Sequence, residues 1–85
     1  MNPEQKQAIV DALQQTIDRI KNTTEDQKIG LLLSVGIEKP DEGEDMFESA
    51  RILVGYNYII AHNLADAIRT GKDYTDLFHR TMEQL

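Results

Sequence analysis

Ile29-Gly30-Leu31-Leu32-Leu33-Ser34-Val35 is the run on which the fold turns, an apolar stretch broken by one glycine and one hydroxyl. A run this short fits a buried strand as well as a buried helix, and periodicity alone does not separate them. Its flanks favour the helix. Thr24-Glu25-Asp26-Gln27 has capping-box spacing, with the threonine placed to accept from the third amide and the glutamine to reach back to the cap. Gly36 can supply a left-handed C-terminal cap, and Ile37 to Pro40 then form a connection, because residues before proline avoid helical geometry. Gly30 costs such a helix about 1 kcal/mol relative to alanine. A lone strand, however, would have no partner, so a helix over 25–35 is predicted.

Working outward, Asn2 followed by Pro3 starts a first helix over about 3–22, whose Ile9, Leu13, Ile17 and Ile20, with Val10 beside them, recur at helical spacing. Gln14, Gln15, Asp18 and Arg19 fall on its other sides. Asp41 and Glu44 open a long helix that Gly71 closes, with Gly55 as its one flaw. Spanning about 42–70, it would be about 43 Å long at ~1.5 Å per residue. A last helix over about 74–85, capped by Asp73 or Thr75, carries Tyr74, Leu77, Phe78, Met82 and Leu85 at helical spacing. The expectation is an all-α fold: a single domain over 1–85, a small bundle of about four helices around one long central helix.

The long helix has two apolar stripes. Met46, Ala50, Leu53, Ile60, Leu64, Ala67 and Ile68 form a broad core face, widened by Phe47, Val54, Ala61 and Ala65. Ile52, Tyr56, Ile59 and Asn63 lie on a separate side at the spacing of a coiled-coil seam. Another helix of the bundle could cover that second stripe; the alternative is a subunit interface, most simply of a two-fold homodimer. Asn57 falls within the core face, as a satisfied core amide or as one that sets register or contacts a ligand.

Charge narrows the partners. Glu38, Asp41, Glu42, Glu44, Asp45 and Glu48 stand against Lys39 alone, which places most of the formal charge of −6 in one segment. The nine basic residues are scattered, without the clustered cationic face of a nucleic-acid binder, so neither direct nucleic-acid binding nor an anionic membrane is expected. No apolar run approaches the ~18–20 residues of a membrane span. Met1-Asn2-Pro3-Glu4-Gln5 has neither a basic nor an apolar leader region, and a cytoplasmic protein is expected. With no cysteine, the chain has neither disulfides nor thiolate metal sites, and at 85 residues it must rely on packing or oligomerisation.

Candidates for chemistry are few. Tyr58, His62 and Asp66 stand one helical turn apart, an arrangement in which the aspartate could orient the imidazole. A solvated histidine in a salt-bridging row explains the same spacing. Asp76, His79 and Glu83 share a face, but a di-metal bundle needs a second such pair and further inward carboxylates, so no metal is expected. Asp41-Glu42-Gly43-Glu44-Asp45 lacks the alternating ligands of a calcium loop, and no P-loop, dinucleotide fingerprint or nucleophile elbow is present. Neither catalysis nor a cofactor is expected. Size, acidity and predicted helical class are similar to those of small immunity proteins and acidic phage inhibitors, a resemblance of composition that carries over no residue.

Three readings of function follow. In the first, an oligomeric inhibitor or adaptor binds a basic protein surface through the acidic segment. In the second, a pocket including Asn57, Tyr58, His62 and Asp66, with Tyr56 beside them, holds a small and possibly nucleotide-type ligand, and Arg51 or Arg69 would have to converge there if it is anionic. In the third, the chain is a structural subunit of a larger assembly.

Overall fold

The computed structural model describes residues 1–44 and 46–85. Helix α1 spans Pro3–Lys21, and its start follows from local chemistry. The Asn2 side chain accepts from the Gln5 amide at 2.8 Å, and the Gln5 side chain accepts in return from the Asn2 amide at 3.0 Å. Strand β1 covers Gly30–Glu38, a 3-10 turn covers Pro40–Glu42, and strand β2 covers Phe47–Gly55. Helices α2, Asn57–Thr70, and α3, Lys72–Gln84, complete the chain. Three helices and a two-stranded antiparallel sheet make this an α+β fold.

The predicted all-α bundle is therefore wrong in its middle. Residues 30–38 form a strand because they do have a partner, hidden in the first half of the predicted 42–70 helix. The two strands pair from Gly30↔Gly55 to Glu38↔Phe47. Ile52 and Val54 suit a pleated surface better than a helix, where branched side chains lose rotamer freedom. Gly55 then ends the strand with φ +95°, a value that no continuous helix passes through. The predicted core face of the long helix is split between β2 and α2. Thr24 and Gln27 do make part of the expected capping chemistry, the Thr24 amide donating to Gln27 Oε1 at 2.8 Å, but around an isolated turn that no helix follows. Gly36 lies inside β1 and caps nothing, and Ile37 and Glu38 continue the strand.

The ladder runs one step beyond the sheet, where the Tyr56 amide donates to the Ile29 carbonyl at 3.1 Å. That carbonyl sits against Gly55 so closely that a Cβ there would overlap its oxygen. Across the pair, a Cβ on Gly30 would lie 2.6 Å from the Tyr56 oxygen and 2.7 Å from Ile60. Two glycines face each other because the chain turns directly from β2 into α2 over this point. Gly71 then both closes α2 and opens α3, without the side-chain cap expected from Asp73 or Thr75. The Thr75 hydroxyl instead donates to the Ile68 carbonyl at 2.6 Å and ties the two helices together.

The sheet's two faces differ. By register, Leu31, Leu33, Val35 and Ile37 share one face with Val54, Ile52, Ala50 and Glu48. The other face mixes Leu32, Leu53 and Phe47 with Ser34, Arg51, Ser49 and glycines. The clash that a Gly30 Cβ would meet with Ile60 places the start of α2 over the base of this second face. α2 also packs on α3, whereas among the described residues α1 touches no other element.

As a result no described residue is buried. The chain exposes 7970 Å², whereas a folded monomer of 9.7 kDa exposes roughly 5,100 Å². Its radius of gyration, 15.4 Å, likewise exceeds the ~12 Å of a compact domain of this length.

Candidate functional site

The acidic segment becomes the tip of the β1–β2 hairpin. Glu38 ends β1, Asp41 and Glu42 lie in the 3-10 turn, Glu44 follows Gly43, and Glu48 opens β2; all five are exposed. Asp45 lies outside the described residues. The tip is shaped by backbone bonds, the Lys39 amide donating to the Met46 carbonyl at 2.8 Å and the Glu42 amide to the Lys39 carbonyl at 3.1 Å. Gly43, at φ +120°, turns the chain where a side chain would be strained. Lys39 Nζ meets Glu42 Oε2 at 3.6 Å, an exposed pair that is worth at most about 1 kcal/mol. The other four described carboxylates make no ion pair, so the hairpin carries its negative potential to its far end, opposite α2.

The seam predicted from Ile52, Tyr56, Ile59 and Asn63 does not form as one helical stripe. Ile52 lies on β2, Tyr56 precedes α2 as its N-cap, and Ile59 and Asn63 lie on α2. The spacing that suggested a seam crosses the Gly55 turn, where helical periodicity has no meaning.

Tyr58, His62 and Asp66 do share one stripe of α2, and with Ile59 and Asn63 they line an open groove of about 560 Å³. Asn57, at the first position of α2, is exposed and does not line it. Among the described residues no hydrogen bond joins the stripe's tyrosine, histidine and aspartate, and Asp66 Oδ1 accepts from Arg69 Nη2 at 3.5 Å. Arg51 sits on the sheet, and Arg69 is engaged with Asp66, so the two guanidinium groups suggested for an anionic ligand do not converge on the groove. Tyr56 stacks edge-on with Tyr58 at 5.9 Å and lies beneath Lys28 Nζ, 5.3 Å from its ring. Asp76 accepts from Arg80 Nε at 2.8 Å, and among the described residues no group of three or more His, Asp or Glu comes close enough together to hold a metal ion.

One further surface feature is one that residue patterns did not locate. Apolar side chains stand open on every helix and on both faces of the sheet: Ile9, Leu13 and Ile17 on α1, Leu32, Ile37, Ile52, Leu53 and Val54 on the sheet, Leu64 on α2, and Leu77 and Phe78 on α3. No helix among the described residues is long and apolar enough to cross a membrane. Comparison with protein-family models, with curated proteins and with solved structures found no match for the chain.

Proposed function

We propose that this chain is a non-catalytic interaction protein that works as an assembly of identical copies and offers its acidic hairpin tip to a basic protein surface. The observation that carries the reading is the exposed area. A surplus of about 2,800 Å² over a folded monomer, with no described residue buried, supports the reading that the core is completed by association. Obligate homodimers hide about 1,000–2,500 Å² per partner, and the surplus lies somewhat above the upper end of that range. The tip supports the second half of the reading, because unpaired carboxylates on a projecting hairpin steer a cationic partner without needing to contribute to folding.

Light scattering over a dilution series tests the self-association. The expected mass is a whole multiple of 9.7 kDa, and the unfolding midpoint should fall on dilution, as it does whenever folding and assembly are linked. A monomer with a concentration-independent midpoint would refute the reading. For the tip, the variant Glu42→Gln/Glu44→Gln/Glu48→Gln should lose proteins that the parent chain captures from a lysate. Equal capture by both would remove the tip from the proposal.

A further inference from the structure

We infer that two copies exchange their first helices, the apolar stripe of α1 from one copy lying along the Leu31/Leu33/Ile52 face of the sheet of the other. This rests on the self-association proposed above and names the surfaces that carry it. Neither surface is fully covered within its own chain among the described residues. α1 touches no other element, although Leu13 and Ile17 lie on a stripe that only burial would stabilise. A two-stranded sheet is marginal in water unless a helix or further strands cover one face. Here α2 crosses only the base of the opposite face, beside Gly30, where Leu32 and Leu53 stay exposed, and on the more continuously aliphatic face Leu31, Leu33 and Val35 are half-buried while Ile52 stays 42% and Val54 63% exposed.

The two surfaces also fit. The 19 residues of α1 extend about 28 Å at ~1.5 Å each. The nine-residue strands extend about 30 Å at ~3.3 Å each. A helix of that length covers a two-stranded ribbon from base to tip with one stripe, and α1 has one stripe. A two-fold axis satisfies both needs at once, because each copy gives a helix and receives one, which closes the assembly at a dimer. The area agrees with this, since the missing burial is too large for a small contact patch and matches an intertwined interface.

Because the chain has no cysteine, disulfide trapping reads the arrangement directly. Chains carrying Leu13→Cys and chains carrying Ile52→Cys, differently tagged, are unfolded together, refolded and oxidised. Covalent heterodimers are expected in several-fold excess over those formed when Leu53→Cys, on the opposite face, replaces Ile52→Cys. Contacts between methyl groups of Ile17 and Val54, measured across a mixture of isotope-labelled and unlabelled copies of the unaltered protein, give the same answer without substitution. A dimer by light scattering that forms Leu13→Cys homodimers instead, or that lacks the Ile17–Val54 contacts between copies, would overturn the exchange while leaving self-association standing. A monomeric mass, with a disulfide inside the doubly substituted Leu13→Cys/Ile52→Cys chain, would overturn both.

Discussion

Replacing Gly55 with alanine tests the point at which the hairpin becomes a helix. At φ +95° a side chain costs roughly 1–3 kcal/mol in backbone strain. The new Cβ would also overlap the Ile29 carbonyl oxygen and lie 3.0 Å from its carbon, and both are backbone atoms that no rotamer change can move. Relief requires the carbonyl to turn away from the Tyr56 amide, with which it shares a 3.1 Å hydrogen bond, at a net cost of about 0.5–1.5 kcal/mol. Together these give a loss of about 2–4 kcal/mol out of a total stability of roughly 4–13 kcal/mol for a chain this long. Gly36 is the internal control, since it lies in the same sheet, has no atom within 4 Å of a built Cβ, and does not adopt a positive φ. Gly36→Ala should be neutral or stabilising by up to about 1 kcal/mol. Urea unfolding followed by circular dichroism at one fixed protein concentration compares the two. With a slope of roughly 1–1.5 kcal/mol per molar, the Gly55→Ala midpoint should fall by about 2 M. If the two variants shift alike, or if Gly55→Ala loses less than about 1 kcal/mol, the tight crossing at the hairpin base is not the constraint described here.

Thr75→Val keeps the shape of the side chain but removes the hydroxyl that bonds the Ile68 carbonyl at 2.6 Å, and should lower stability by about 1 kcal/mol, whereas Thr75→Ser should lose less; thermal melts of both variants check this. The Asp26 carboxyl is held below its ordinary pKa, first by the Thr24 hydroxyl that donates to it and then by its own backbone amide, against a small opposing effect of desolvation. Because the folded pKa lies below the unfolded value of about 3.9, the stabilisation is fully present above that pH and is lost as pH falls through the folded pKa. In a carboxyl titration by NMR, Thr24→Ala should move the Asp26 midpoint upward, and an unmoved midpoint would reject this cause. Glu42→Gln/Glu44→Gln/Glu48→Gln should melt within about 1 kcal/mol of the parent chain, since the tip's described ion pair is the exposed Lys39–Glu42 contact. A larger loss would mean that the tip carboxylates hold the hairpin together.

Where local chemistry decides structure, the residues alone were sufficient. Asn2 and Pro3 predicted the start of α1, because a cap involves groups within one turn of each other, and the stripe from Ile9 to Ile20 predicted its extent. The end of α2 at Gly71 was legible from the glycine, whereas α3 starts at Lys72 without the cap expected from Asp73 or Thr75. The apolar surplus was also visible, since two stripes on one stretch are more than a short bundle hides, and the gathering of charge in residues 38–48 located the acidic tip before its shape was known.

Tertiary structure decided residues 30–55. Leu31 to Val35 and Ile52 to Val54 each fit a helix or a strand taken singly, because runs so short match both periods. Pairing between residues far apart in the chain selected the strand for both, and a local pattern does not report pairing. Gly55, read as a flaw in a helix, is the residue that allows β2 to end against the Ile29 carbonyl and α2 to begin. Once that turn is made, Ile52 and Ile59 no longer share a stripe, and open apolar side chains are spread over α1, both faces of the sheet and α3. Which apolar side chains remain uncovered depends on how the elements pack in space, so the residues alone indicated surplus apolar surface and only the fold showed where it lies.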